Sequence, residues 1–169
     1  MTVQLIIDNK KLDASSGKTY KRVDPLSGRT ITTGAACNVE DAQQIVESSQ
    51  RAFQTWSKTG PTERRRILLA AADALEARIE EICTVMAEEI GASQLWANFN
   101  VSASANLIRE AAGLTTQIKG ETIPTDKPGA VSMTLRQPVG TVLSIVPWNG
   151  PVILGARAIA YPLACGNTV

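Results

Sequence analysis

The sequence predicts an α/β fold in which a layer of helices covers the first strands of a parallel sheet. Apolar residues recur at intervals of three and four through residues 38–114, which is the spacing of amphipathic helices. Residues 141–146 form a short, nearly continuous apolar run, as in parallel strands that are buried on both faces. An apolar segment of helical length and a second β-prone segment follow it, so the chain closes on a βα unit and the start of another.

The first forty residues predict short strands joined by tight turns. Residues 5–7 are apolar and precede a turn pair at residues 9–10, and residues 30–33 are rich in β-branched side chains. Residues 24–25 and 27–28 carry the residue types that favour turns, so they separate the predicted strands.

Two long helices follow. Asn38 and Asp41 resemble a capping box, with Asp in place of the usual Glu, so the first helix begins there and ends at the Gly-Pro pair of residues 60–61. Thr62 is expected to cap a second helix, which continues without a break to Gly91, where a glycine can end it in a left-handed conformation.

A third helix is expected to open at Ser93 or Ala92 and to end near Gly120. Apolar residues recur along it at helical spacing. These residues are Leu95, Trp96, Phe99, Ala103, Leu107, Ile108, Ala111 and Leu114.

Residues 120–137 predict a hairpin-like excursion. Val131, Met133 and Leu135 alternate with polar residues, which indicates a strand with one covered face. Pro124 places the preceding arm at an edge, because proline cannot donate to a strand ladder.

The last thirty residues predict a buried strand at 141–146, a loop, a mostly buried helix at 152–164 and the start of a second strand at 168–169. Such a unit cannot cover its own apolar surface, because a doubly wound sheet needs several strands. We therefore expect an N-terminal fragment of a longer chain. The alternative is a complete small α+β domain.

Composition excludes several classes of function. The chain has 17 Lys and Arg against 16 Asp and Glu, a net charge of +1, so no basic surface for nucleic acid is expected. It has no histidine, so it cannot by itself supply a Ser-His-Asp triad or His-ligated metal. Its three cysteines are widely spaced, which predicts neither a disulfide framework nor a zinc site. No apolar run approaches the roughly 18 residues of a membrane span, and we expect a cytoplasmic protein.

The loop at residues 147–150 is the stretch where chemistry is expected, because ligands bind beyond the carboxyl ends of strands in open α/β sheets. The amide of Asn149 can donate a hydrogen bond to an oxyanion. The alternative is that Asn149 merely caps the next helix, with Pro151 as its first residue. From the spacing alone, the capping role is favoured.

Two motifs carry a specific resemblance. Residues 140–149, Gly-Thr-Val-Leu-Ser-Ile-Val-Pro-Trp-Asn, and residues 162–169, Pro-Leu-Ala-Cys-Gly-Asn-Thr-Val, resemble the start of the coenzyme domain of NAD(P)-dependent aldehyde dehydrogenases. The resemblance covers essentially the whole chain, and the Pro-Trp-Asn loop with the downstream Gly-Asn-Thr-Val is its strongest part. Residues 92–101 and 116–124 resemble the bacterial members that act on aromatic aldehydes, the salicylaldehyde and vanillin dehydrogenases.

The resemblance implies a domain organisation and a partner. Residues 1–119 would hold the N-terminal strands and the helical layer of the coenzyme domain, and residues 120–137 one arm of an oligomerisation hairpin. Residues 138–169 would begin the Rossmann-like coenzyme-binding core, with the catalytic domain absent. Family members are usually homodimers or homotetramers, so a second copy of the chain is the expected partner.

The resemblance also implies a reaction, the oxidation of an aromatic aldehyde to its carboxylate with NAD in the breakdown of aromatic compounds. A cysteine thiolate attacks the aldehyde to form a thiohemiacetal, and the residue matching Asn149 holds its oxygen. That cysteine, the base glutamate and a ribose-contacting lysine would lie beyond Val169, so the fragment alone is expected to be inactive. The residues implied to line the coenzyme cleft are Ile145, Val146, Pro147 and Trp148.

Three residues are candidates for substrate binding. Arg157 stands where many relatives carry an aromatic residue, and Gly150 where they often do, so the space left by Gly150 could admit a ring or the Arg157 guanidinium. Arg157 would bind the ortho-hydroxyl or phenolate of a salicylaldehyde-like substrate, or else pair with an acidic residue. Trp96 would contact the substrate ring, or else pack with Phe99 in the core. Ala158 replaces a lysine of many relatives, so a proton relay through that lysine is not expected.

Other readings remain open. The substrate could be vanillin, benzaldehyde or a semialdehyde whose carboxylate binds Arg157. An alternative from another class of function is a non-catalytic chain that ends at Val169 and associates with full-length subunits through its hairpin. Neither Cys83 nor Cys165 is expected to be a nucleophile, and both are predicted to be buried, inert thiols.

Overall fold

The computed structural model describes residues 2–24 and 26–169. In chain order its elements are β1 (Thr2–Val3), β2 (Leu5–Ile7), β3 (Lys10–Leu12), β4 (Thr19–Val23), β5 (Thr30–Ala35), α1 (Val39–Trp56), α2 (Pro61–Glu76), α3 (Ile79–Ile90), α4 (Gln94–Leu114), β6 (Thr122–Ile123), β7 (Ser132–Met133) and α5 (Pro151–Ala164). The α/β class and the strand-rich first forty residues are confirmed.

The N-terminal strands form two small sheets. β1 pairs in parallel with β5, and β4 pairs antiparallel with the other edge of β5. β2 and β3 form a hairpin whose turn is Asp8 and Asn9, both at positive φ, so the prediction of residues 9–10 lies one residue late. Asp and Asn tolerate this conformation better than other residues with a Cβ atom. The predicted turn at 24–25 includes Pro25, which lies outside the described residues.

The predicted capping box at the start of α1 is confirmed. The Asp41 N–H donates to Asn38 Oδ1 at 2.9 Å, and the Asn38 N–H donates to Asp41 Oδ2 at 3.0 Å. Asp41 Oδ1 also accepts the Ser15 N–H at 2.9 Å, which ties the N-terminal strands to the helix. These backbone hydrogen bonds, that of Asn38 first, hold the pKa of Asp41 below its ordinary value.

The prediction of one continuous second helix is wrong. The chain turns at residues 77–78, and Gly60 rather than Thr62 is the N-cap of α2, with Pro61 as its first residue. The break lets the two helices bury different faces: Leu68 of α2 packs with α5, whereas Cys83 of α3 packs near the start of α4. Gly91 ends α3 in the left-handed conformation, as predicted.

The buried face of α4 is a stripe of mostly small or polar residues. Its members are Ala97, Asn100, Val101, Ser104, Ala105, Ala111 and Ala112. The larger Leu95, Trp96, Phe99 and Leu114 are exposed. Small side chains let α2 and α5 approach α4 closely, so the core lies along this stripe and not under the large residues. The Ser93 side chain caps the helix, which ends at Leu114, before the predicted Gly120.

The hairpin at residues 120–137 is confirmed, but it is short. β6 and β7 pair antiparallel over two residues each, with Thr122 opposite Met133. Val131, Met133 and Leu135 are all exposed, so no face of the predicted strand is covered in this chain.

The prediction of a buried strand at 141–146 is wrong for this chain. Within it, Thr141 alone forms a bridge, parallel to Thr168, and Leu143 and Ile145 are 85% and 88% exposed. A central parallel strand needs a neighbour on each edge and helices on both faces, and the described residues supply one short neighbour. The expected second strand at residues 168–169 begins at that bridge.

α5 follows with Pro151 as its first residue, and its side toward α2 and α4 is buried at Ala160 and Ala164. Arg64 of α2 donates to the Ala164 carbonyl at 3.1 Å, which places a cation at the helix C-terminus. Cys83 is buried as predicted, but Cys165 is exposed because it caps the open end of α5.

Within the described residues, the helices are all too short or too polar to span a bilayer.

Candidate active site

The loop at residues 147–150 is held between a parallel bridge and α5. The Val142 N–H donates to the Thr168 carbonyl at 2.8 Å, and the Thr168 N–H donates to the Gly140 carbonyl at 3.2 Å. The loop leaves the carboxyl end of this short parallel pairing, which is where the fold class places ligands.

The Gly-Asn turn at the C-terminal end of the chain fixes the start of that pairing. Asn167 Oδ1 accepts the Val139 N–H at 2.7 Å and the Gly140 N–H at 3.1 Å. Gly166 has φ +84°, and a Cβ there would lie 2.9 Å from Pro138 Cγ, so a side chain would force the two segments apart. The motif Gly-Asn-Thr-Val therefore has a structural reason: it aligns the segment that leads into the loop.

Asn149 is exposed, and its backbone is anchored. Its carbonyl accepts a hydrogen bond from Trp96 Nε1 at 3.2 Å, across 53 residues of sequence. Gly150 is the N-cap of α5, so the prediction that Asn149 caps this helix is wrong. Among the described residues the Asn149 amide has no hydrogen-bond partner, which leaves both of its N–H groups available to an oxygen.

Gly150 is buried against α4. A Cβ built at this position would lie 3.5 Å from Asn100 Oδ1 and 3.8 Å from Trp96 Cζ2. The space left by the missing side chain is thus lined by α4, and no contact joins Gly150 to the Arg157 guanidinium. A larger residue at 150 would press on Trp96 and on the buried Asn100.

Trp96 and Phe99 form a stacked aromatic pair beside the loop. Their ring centroids lie 5.5 Å apart with planes 25° from parallel. The two side chains are 40% and 54% exposed, so the pair packs together on the surface and not in the core. It offers an aromatic wall next to Asn149.

The residues expected to line the coenzyme cleft, Ile145, Val146, Pro147 and Trp148, are all exposed. Trp148 lines a cavity of about 360 Å³ together with Met86 and Ile90 of α3 and Val152 of α5. Its side chain therefore lies toward α3, whereas the backbone of the next residue is bonded to α4.

Arg157 is exposed, so it does not need the partner that a buried arginine would require. No carboxylate of the described residues pairs with it, although it lies near enough to Tyr161 to influence that phenol. The Tyr161 hydroxyl donates to Glu110 Oε2 at 3.1 Å, and burial and Glu110 raise the pKa of Tyr161 while Arg157 opposes the rise. The structure brings Trp96, Asn149 and Gly150 together, and it leaves Arg157 without a contact to them.

The sequence analysis missed Asn100. This side chain is completely buried in α4, donates Nδ2 to the Trp96 carbonyl at 3.0 Å and has no partner for Oδ1 among the described residues. The signal that could have identified it is a polar residue one turn after Trp96 in an apolar helix.

Known proteins match the chain along nearly its whole length. The aldehyde dehydrogenase family model matches residues 12–169. A salicylaldehyde dehydrogenase of Pseudomonas putida is 56% identical over 169 residues, which is 100% of this chain and 35% of that protein. A vanillin dehydrogenase of Pseudomonas fluorescens is 49% identical over 100% of this chain and 35% of its own length.

Solved structures agree with these sequences. The crystal structure of a salicylaldehyde dehydrogenase from Pseudomonas putida G7 complexed with salicylaldehyde matches with a TM-score of 0.98 and 56% identity, over 100% of this chain and 35% of that one. PnpE in complex with nicotinamide adenine dinucleotide matches with a TM-score of 0.94 and 36% identity, over 99% and 34%. The chain thus spans about a third of the length of the relatives that it matches.

Proposed function

The chain belongs to the aldehyde dehydrogenase family, and we propose that it is the N-terminal part of an NAD-dependent enzyme that oxidises a salicylaldehyde-like aromatic aldehyde to its carboxylate. The observation that carries this proposal is the exposed side-chain amide of Asn149. This amide has no hydrogen-bond partner among the residues that the structure describes, and the backbone of Asn149 is anchored to α4 through Trp96. The identity of 56% to a salicylaldehyde dehydrogenase supports the substrate class.

In the proposed reaction, an aldehyde, water and the oxidised coenzyme give a carboxylate, the reduced coenzyme and protons. A nucleophile attacks the aldehyde carbon, and the carbonyl oxygen takes up negative charge. The Asn149 amide donates to this oxygen, and the donor is fixed in advance because Trp96 holds its backbone. The attacking cysteine and the base glutamate belong to the part of the polypeptide that we propose to follow Val169.

The exposed strip of Ile145, Val146, Pro147 and Trp148 is proposed to hold the coenzyme. When bound, NAD would supply the acceptor for the hydride of the aldehyde carbon. The strip directly precedes Asn149 in the chain, so the coenzyme site would adjoin the substrate site.

The substrate ring is proposed to lie against the exposed pair of Trp96 and Phe99. Gly150 leaves a space beside that wall, because a Cβ there would already be in contact with Asn100 and Trp96 of α4. Arg157 is proposed to reach the ortho-oxygen of the ring, since it is exposed and unpaired with any carboxylate of the described residues.

The hairpin of β6 and β7 is proposed to take part in forming a homodimer or homotetramer. Val131, Met133 and Leu135 expose apolar side chains on the chain that contains β7, which a second copy could cover.

The test is an assay of a polypeptide that carries these residues and continues through the rest of the relatives' length. We expect reduction of NAD with salicylaldehyde, and Asn149→Ala should lower kcat about 10²- to 10³-fold, the usual cost of losing one oxyanion donor. The control is Asn98→Ala, which truncates a half-buried asparagine of α4 that lies outside the loop. Activity that survives Asn149→Ala would refute the assigned role.

A semialdehyde dehydrogenase is the second candidate, because an exposed arginine can also bind a carboxylate. Salicylaldehyde, benzaldehyde and succinate semialdehyde at matched concentrations separate the two. Loss of the preference for salicylaldehyde over benzaldehyde in Arg157→Ala supports the aromatic substrate. A selective loss of succinate semialdehyde activity supports the second candidate.

A further inference from the structure

Asn100 holds the one buried side-chain oxygen that lacks a hydrogen-bond partner among the described residues. Its side chain is 0% exposed, and its Nδ2 donates to the Trp96 carbonyl at 3.0 Å. The opposite orientation of the amide would set its oxygen against that carbonyl, which is also an acceptor. The hydrogen bond therefore fixes the direction of the unpartnered Oδ1.

Oδ1 lies close to the backbone of Gly150. It is 3.5 Å from the point where a Cβ of residue 150 would be, nearer than any other atom outside the adjoining residues. The N–H of Gly150 has no acceptor in the described part of the chain, and its neighbour Pro151 has no N–H to offer. The buried Asn100 Oδ1 acceptor and the unused N–H donor of Gly150 thus lie in the same place. Buried polar groups are normally paired.

The same peptide unit is already held at its other end. The Asn149 carbonyl and the Gly150 N–H belong to one peptide group, and Trp96 Nε1 donates to that carbonyl at 3.2 Å. Trp96 and Asn100 are one helical turn apart on α4, so they face neighbouring points along the loop.

We propose that Asn100 is a positioning residue for Asn149: its Oδ1 accepts the Gly150 N–H when the site is loaded, and with Trp96 it clamps the peptide that follows the oxyanion donor. The proposal rests on the proposed function for Asn149. Clamping both ends of this peptide sets the direction of the Asn149 side chain, which touches the substrate, whereas Asn100 touches none. It also gives a reason for Gly150, since a larger side chain would separate the clamp from the backbone.

The test compares Asn100→Leu with Ser104→Ala in the longer polypeptide. Ser104 is the matched control because it is equally buried on α4 and its hydroxyl donates only to the Asn100 carbonyl, at 2.5 Å. Leucine has the branched shape of asparagine, with a larger volume, and removes the acceptor. We expect Asn100→Leu to lower kcat for salicylaldehyde about 10- to 100-fold, as a misplaced catalytic group does, with the KM for NAD within about twofold.

If Asn100→Leu does not fold, Asn100→Ser replaces it. A serine hydroxyl can donate to the carbonyl four residues earlier, as Ser104 does. The buried hydroxyl of Asn100→Ser therefore has a hydrogen-bond partner, but it is too short to reach Gly150. The same fall in kcat is expected for this variant.

Amide hydrogen exchange of Gly150, with NAD and salicylaldehyde present, gives a second measurement that does not need turnover. We expect exchange at Gly150 to be at least about tenfold faster in the Asn100 variant than in wild type and unchanged in Ser104→Ala. If the wild type is active and the two variants behave alike in kcat and exchange, the clamp is refuted. If the wild type oxidises no aldehyde but the exchange differs as expected, the clamp stands and the proposed function fails.

Discussion

The helical layer and the segment at residues 120–148 are both rich in apolar residues, but they differ in how far those residues are buried. Val101 in α4 is 0% exposed, whereas Leu143 in the later segment is 85% exposed. A helix satisfies its backbone hydrogen bonds by itself and needs only a neighbour for one face. A strand needs partners along both edges, so the same apolar content stays at the surface where those partners are absent.

The comparison also explains where the candidate site lies. Asn149 and Gly150 stand at the boundary between the two regions, with α4 packed against the loop and the preceding residues exposed. On the helical side, Trp96 of α4 holds the loop through the Asn149 carbonyl. The side built by the sheet is open, as expected if further strands were to cover it.

The largest expected effect is on the core of the helical layer. Val101→Asp should lower the free energy of unfolding by about 4 kcal/mol or more, because it buries a charge and removes an apolar contact. Leu143→Asp should change it by no more than about 0.5 kcal/mol. Urea unfolding followed by circular dichroism measures both, and equal losses would mean that residues 141–146 belong to the core after all.

A smaller effect is expected at the start of α1. Asn38→Ala removes one side of the capping box and should cost about 1 kcal/mol of stability. Asn106→Ala, on the exposed side of α4, is the control and should be neutral or slightly stabilising because alanine favours helices. A cost at Asn106 as large as that at Asn38 would contradict the assignment to the cap.

The capping box should also make stability depend on pH. The pKa of Asp41 is held below its ordinary value of 3.8, so its carboxylate stabilises the fold above that pH, and this contribution is lost as the pH falls through the lowered pKa. The stability gap between wild type and Asp41→Asn should therefore be widest near neutral pH and shrink towards pH 3. Asp126→Asn, at the hairpin, should show no such gap; urea midpoints across this range test both.

The smallest effect on stability is expected in the hairpin. Met133→Lys should leave the free energy of unfolding within about 0.5 kcal/mol, because the side chain is already exposed. In the longer polypeptide it should weaken self-association, which sedimentation velocity measures, whereas Leu26→Lys should not. Unchanged association in Met133→Lys would remove the hairpin from the proposed subunit contact.

The sequence predicted the features that depend on a few neighbouring residues. The capping box of Asn38 and Asp41, the left-handed Gly91 and the hairpin around residues 122–133 are present as expected, and the helix expected at 152–164 begins one residue earlier, at Pro151. Each follows from hydrogen bonds or steric limits among residues close in the chain, so a local pattern is enough to identify it. The role of Asn149 was predicted from the family resemblance, because spacing alone favoured a capping role, and it stays a prediction.

The tertiary structure decided which faces are buried and which polar groups are paired. The largest apolar residues of α4 do not mark its buried face, because close packing of α2 and α5 favours small residues such as Ala97 and Ala105. The break at residues 77–78, the exposure of Leu143 and the unpartnered oxygen of Asn100 likewise depend on what each element meets in space. Burial is a relation between distant segments, so local spacing alone does not determine it.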